Sequence, residues 1–65
     1  MNKEEIILDL QNRKVGLRNE ADRQTKFAQN SNSIYARETH SLGKESAMAR
    51  ILEIDHLISL LEKLE

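Results

Sequence analysis

Residues 47–64 read AMARILEIDHLISLLEKL, and this segment decides the fold because its apolar residues recur every three or four positions. On a helix that turns about 100° per residue, the repeat gathers these side chains within an arc of about 140°. The residues in the arc are Ala47, Ile51, Ile54, Leu57, Ile58, Leu61 and Leu64. Leu60 widens the arc to nearly half of the circumference. The segment therefore predicts an amphipathic helix with a broad apolar face.

A thinner apolar repeat near the amino terminus predicts another helix, which can pair with the helix that contains residues 47–64. Asn2 stands three residues before Glu5, which is the spacing of a capping box, so we expect this helix to begin near residue 3. Lys14 and Gln24 interrupt the repeat as polar residues. Its apolar positions are Ile6, Ile7, Leu10, Leu17, Ala21 and Ala28. The pattern predicts a helix over about residues 3–29.

The run Asn30-Ser31-Asn32-Ser33 separates the two repeats. Short polar side chains compete for backbone hydrogen bonds and favour turns and helix caps, so we predict a loop over about residues 30–33. The second helix is then expected over about residues 34–64. Gly43 lies inside it, where a glycine is either tolerated or ends a short helix. We favour one continuous helix because alanines follow Gly43 and the chain has no Pro. A three-helix arrangement is the alternative.

The composition restricts the chain to one small all-α domain. Its 65 residues, of which 38% are apolar and 32% charged, cannot build two separate cores. The chain has no Pro, two Gly, and Phe27 and Tyr35 as its aromatic residues, which argues against turn-rich β structure. No apolar run approaches the roughly 18 residues that cross a bilayer. We therefore expect residues 1–65 to form a single helical domain in the cytoplasm.

An antiparallel, coiled-coil-like hairpin of these two helices leaves part of the broad apolar face uncovered, because one neighbouring helix covers only one side. The chain has no Cys, so neither disulfides nor thiolate metal sites can stabilise so short a domain. A second copy could cover the exposed face and form a four-helix-bundle dimer. The residues expected at this self-association surface are Ile51, Ile54, Leu57, Ile58, Leu61 and Leu64.

Charge is distributed unevenly along the chain. Residues 1–10 carry a net charge of −2 and residues 51–65 carry −3, whereas residues 11–50 carry +4. The hairpin would therefore have an acidic end at its termini and a basic end at its loop. Because Tyr and Arg are frequent interface anchors, we predict a protein-binding site near the loop that consists of Tyr35, Arg37, Leu42 and Lys44. The alternative for Tyr35 is that its ring closes the hairpin against Phe27.

We predict no catalytic, metal-binding or cofactor-binding residues. Gly43-Lys44 lacks the other glycine and the following Ser or Thr of a phosphate-binding loop. Glu53 and His56 have the Glu-x-x-His spacing of di-iron bundles, but both lie away from the predicted apolar face. His40 has no carboxylate or second His at ligand spacing on the same helical face, and we expect it to be exposed.

The segment Glu53-Ile54-Asp55-His56-Leu57-Ile58 is similar to the signature helix of the small helical-hairpin phosphatases that act on sporulation response regulators. Those proteins carry Ser four residues before the Asp, where this chain has Ile51. The resemblance implies an aspartyl-phosphate phosphatase in which Asp55 would lie beside the phosphoaspartate.

The chain as a whole resembles the small, charged helical accessory proteins of bacteriophages and mobile elements. This resemblance implies a non-enzymatic regulator, adaptor or inhibitor that binds a protein, and this is the function we predict. The charge pattern gives the main alternative, a nucleic-acid-binding accessory protein that uses the basic end near the loop.

Overall fold

The computed structural model describes residues 2–64, which form two antiparallel helices packed side by side. Helix α1 spans Lys3–Asn30 and helix α2 spans Ile34–Glu62. The hairpin is a rod of 51 × 14 × 13 Å, as expected for two helices of this length lying in contact. The predicted all-α helical hairpin is therefore confirmed. Neither helix carries, within residues 2–64, an apolar segment long enough to cross a membrane.

Both helices begin at side-chain caps supplied by the sequence. The Oδ1 atom of Asn2 accepts a hydrogen bond of 2.8 Å from the backbone N–H of Glu5. The Oγ atom of Ser33 accepts one of 3.3 Å from the backbone N–H of Ala36. These contacts satisfy amide groups that have no partner within the helix. They leave a connection of three residues, 31–33, between the helices.

Helix α2 runs through Gly43 without a break. Gly43 faces α1, and a Cβ atom at this position would lie 3.2 Å from Cδ of Gln24, closer than ordinary carbon contacts. The glycine thus lets the two helices approach closely at this point. Because its backbone is helical, Gly43 serves here as a small interface residue.

The hydrophobic core is a narrow seam between the helices. Among residues 2–64, four apolar residues are buried, namely Ala21, Ala47, Ile51 and Ile58. The rest of the seam is half-buried and includes Ile6, Ile7, Leu10, Leu17, Ile54 and Leu61. No large side chain among residues 2–64 is completely enclosed. Two helices thus bury only the side chains that lie along their line of contact.

Polar residues of the α1 repeat make contacts across the seam. The ammonium group of Lys14 forms an ion pair with the carboxylate of Asp55. The Oε1 atom of Gln24 lies 2.6 Å from Nδ1 of His40, and its Nε2 atom donates to Glu20. These polar interruptions therefore connect the helices instead of facing water.

The expectation that His40 is exposed is wrong. His40 is half-buried because its angular position on α2 is next to that of Ala47 and Ile51, so its ring faces α1. There it contacts Gln24 and lies 5.3 Å from the ring centroid of Phe27. Phe27 therefore pairs with His40, and the alternative in which Tyr35 closes the hairpin against Phe27 does not occur.

Candidate partner-binding surface

Helix α2 carries a second apolar surface on the side that faces away from α1. We call this surface the outer face of α2; it consists of Tyr35, Leu42, Ala49, Leu57 and Leu60, together with Leu64 just after the helix. At about 100° per residue, its members lie within about 80° of one another and about 140° from the buried side chains. Tyr35 is 79% exposed and Leu42 is 66% exposed. Large apolar side chains are thus presented to water along the whole helix.

The breadth of the apolar repeat explains why this surface exists. Helix α1 offers one narrow seam, so it can cover only the part of the arc that faces it. Leu57 and Leu64 lie at the edge of the arc and remain 47% and 59% exposed. The structure therefore divides the six residues predicted for self-association. Ile51 and Ile58 are buried against α1 in one chain, and Ile54 and Leu61 are half-buried there.

The four residues predicted for partner binding do not share one face. Tyr35 and Leu42 belong to the outer face, whereas Arg37 and Lys44 lie about 160° away around the helix. The Nε atom of Arg37 donates a 2.8 Å hydrogen bond to the carbonyl oxygen of Ser31, which fixes its side chain against the loop. A shallow depression connects Arg37 to Leu42, while Tyr35 and Lys44 do not line it.

The exposed basic residues surround the loop half of the rod without forming a single patch. They include Arg18, Lys26, Arg37, Lys44 and Arg50. Arg23 is paired with Glu20 at 3.0 Å on the surface of α1. The carboxylates of Glu38 and Glu45 lie between the basic side chains of α2. The arrangement gives a positive end with interspersed negative charge, which suits transient electrostatic contact more than a continuous phosphate track.

A shallow groove lies between the helices near the middle of the rod, and the sequence analysis missed it. Its walls are Arg13, Gly16, Leu17, Arg50, Glu53 and Ile54. A Cβ atom at Gly16 would have no neighbour within 4 Å, so this part of the groove wall borders open space. The sequence signal for this groove was the small Gly16 directly before the apolar Leu17. The groove contains no buried polar side chain, and Arg13 pairs with Asp9 at 3.0 Å.

The residues considered as metal ligands or as catalytic groups lie on surfaces that are open to solvent. Glu53 and His56 are exposed, and no group of three or more His, Asp or Glu residues that could hold a metal occurs within residues 2–64. The carboxylate of Asp55 is occupied by the ion pair with Lys14. The side chain of Asp55 remains 46% exposed beside this pair.

Comparisons of the chain with protein-family models, with curated proteins and with solved structures find no match.

Proposed function

We propose that the protein is a non-enzymatic regulator, adaptor or inhibitor that acts by binding proteins through a self-associating helical hairpin. The observation that carries this proposal is the outer face of α2, which keeps large apolar side chains in water along the length of the rod. Exposed apolar surface of this kind is characteristic of sites that another macromolecule covers.

The chemistry of the exposed residues supports protein binding. Tyr35 and Leu42 offer large contact areas, and the phenol of Tyr35 can also donate a hydrogen bond. On the other side of α2, Arg37 and Lys44 present positive charge that suits an acidic surface. The hairpin thus has an apolar side that suits self-association and a basic side that suits a second protein.

The shape of the surface also favours binding over catalysis. A reaction needs a site that excludes water and fixes reacting groups, and the depressions described above are shallow and open to solvent. None of their side chains is a buried polar group. These features support a binding role.

The test is capture of partners from an extract of the source cell after nuclease digestion, with the full chain as bait. Arg37→Ala and Lys44→Ala together should abolish capture, because they remove the positive side of α2 while both residues are exposed. Arg18→Ala is the matched control, since it removes an exposed positive charge from α1. Capture that persists after the double substitution would contradict the proposal. Capture that occurs from an undigested extract but is lost after nuclease digestion would also contradict it. Circular dichroism checks that helicity is unchanged in every variant.

A further inference from the structure

We propose that the outer face of α2 is covered by the same face of a second copy of this chain, with the two α2 helices antiparallel and a two-fold axis near Ala49. The inference rests on the self-association proposed above. It adds the face, the orientation and the register of that association.

The spacing of the apolar side chains is symmetric about the middle of α2. Tyr35 and Leu42 are seven residues apart in the first half, and Leu57 and Leu64 are seven residues apart in the second half. If two α2 helices run antiparallel about a point between residues 49 and 50, Tyr35 lies opposite the second copy's Leu64 and Leu42 lies opposite its Leu57. A two-fold axis repeats each contact, so four large apolar pairs line the interface.

The centre of this interface is suited to close approach. Ala49 is exposed on the outer face, and its methyl group lets the two helices come near each other at the axis. Glu53 lies on the same face and would be opposite the second copy's Ser46, one turn from its Arg50. The ion pairs found among residues 2–64 involve neither Glu53 nor Arg50. Both side chains are therefore available to each other across the axis.

Charge on one flank of the outer face selects the antiparallel orientation. Glu38 and Glu45 follow this flank in the first half of α2, His56 follows it in the second half, and Lys63 continues it just after the helix. Antiparallel pairing places Glu38 near the second copy's Lys63, and Glu45 near its His56. In a parallel pair, whose two-fold axis runs along the helices, this flank would instead face the opposite flank of the second copy, so neither contact would form. Only antiparallel pairing brings Glu38 and Lys63 together, so the charge pattern favours the antiparallel dimer.

The antiparallel dimer leaves the basic side of α2 accessible. Arg37 and Lys44 lie on the far side of the helix from the outer face, so a second copy seated there does not cover them. The same dimer can therefore present two basic surfaces to a further protein, related by the two-fold axis.

Cysteine cross-linking tests the register directly, because the chain has no Cys of its own. Leu42→Cys and Leu57→Cys are prepared separately, and both positions are exposed in the hairpin, so folding should be preserved. Under mild oxidation, an equal mixture should form a covalent dimer that joins residue 42 to residue 57. Each variant oxidised alone should form at least tenfold less covalent dimer than the mixture. Asn19→Cys, on the side of α1 away from α2, is the control and should not cross-link to Leu57→Cys.

A charge exchange provides a second, independent readout. Glu38→Lys and Lys63→Glu should each weaken the dimer, by about fivefold in its dissociation constant, because exposed ion pairs contribute modestly and each occurs twice. The double variant E38K/K63E restores the opposite charges only in the antiparallel register, so its dissociation constant should return close to that of the natural chain.

Three outcomes would overturn the inference. A covalent dimer formed by Leu42→Cys alone would show parallel pairing, and failure of the double charge variant to recover would contradict the Glu38–Lys63 contact. Either result would leave self-association itself intact. Sedimentation as a 7.5 kDa species at high micromolar concentration would overturn the dimer and the proposed self-association together.

Discussion

The two halves of the rod are held together by different forces. In the terminal half, Ile51 and Ile58 are buried, and the half-buried residues of the seam are also large and apolar, among them Ile6, Leu10 and Ile54. In the loop half, the buried residues are the small Ala21 and Ala47, and the helices also meet through Gln24 and His40. Burial of apolar area therefore stabilises one end of the hairpin, whereas caps and polar contacts stabilise the other.

The largest expected effect comes from removing apolar area in the terminal half. Ile51→Ala or Ile58→Ala should lower the free energy of unfolding by about 2–5 kcal/mol, because each leaves a cavity in a buried seam. Denaturant titration at fixed protein concentration measures the loss. Ile34→Ala is the matched control in the loop half, because Ile34 is 75% exposed and lies outside the outer face of α2, so the free energy of unfolding should change little. An equal loss of unfolding free energy in the variants of the two halves would remove the distinction between them.

The second prediction concerns the charge difference between the halves. Affinity for nucleic acid should be weak, because the chain carries −1 overall and only the loop half is positive. If about four phosphates are neutralised, affinity should fall about a hundredfold between 50 and 200 mM salt. Fluorescence anisotropy with a labelled duplex measures this dependence. Tight binding that is insensitive to salt would favour the nucleic-acid alternative over protein binding.

The two glycines provide a smaller and sharper comparison. Gly16→Ala should raise the free energy of unfolding by about 1 kcal/mol, because the helix gains propensity and the new methyl group meets open space. Gly43→Ala should gain less or lose stability, because its methyl group would crowd Gln24. Gln24 is hydrogen bonded to Glu20 and lies within hydrogen-bond distance of His40, which restricts its ability to move away. Thermal melting compares the variants, and an equal gain at both positions would show that the loop-half seam is loosely packed.

Much of the hairpin could be predicted because its signals are local. The Asn and Ser run and the capping residues Asn2 and Ser33 mark where helices begin, and their effect extends only a few residues along the chain. The 16-residue separation of Gln24 and His40 is different, since their contact depends on how far one helix slides along the other. Nothing in the apolar repeat fixed that register closely enough to place His40 beside Phe27.

Helical geometry applied to the sequence divides the predicted partner-binding residues into two pairs. Tyr35 and Leu42 are seven residues apart, as are Arg37 and Lys44, so each pair lies along one side of α2. The two pairs differ by two residues, which rotates them to nearly opposite sides of the helix. Proximity along the chain had suggested one site, whereas helical geometry gives an apolar side and a basic side.

Sedimentation equilibrium of the natural chain at micromolar concentration tests whether a second copy covers the outer face of α2. We predict a species of twice the 7.5 kDa chain mass, and we predict that Leu42→Glu converts it to a folded monomer. Leu8→Glu, on the exposed side of α1, should leave the dimer unchanged. A folded 7.5 kDa species for the natural chain would contradict the account.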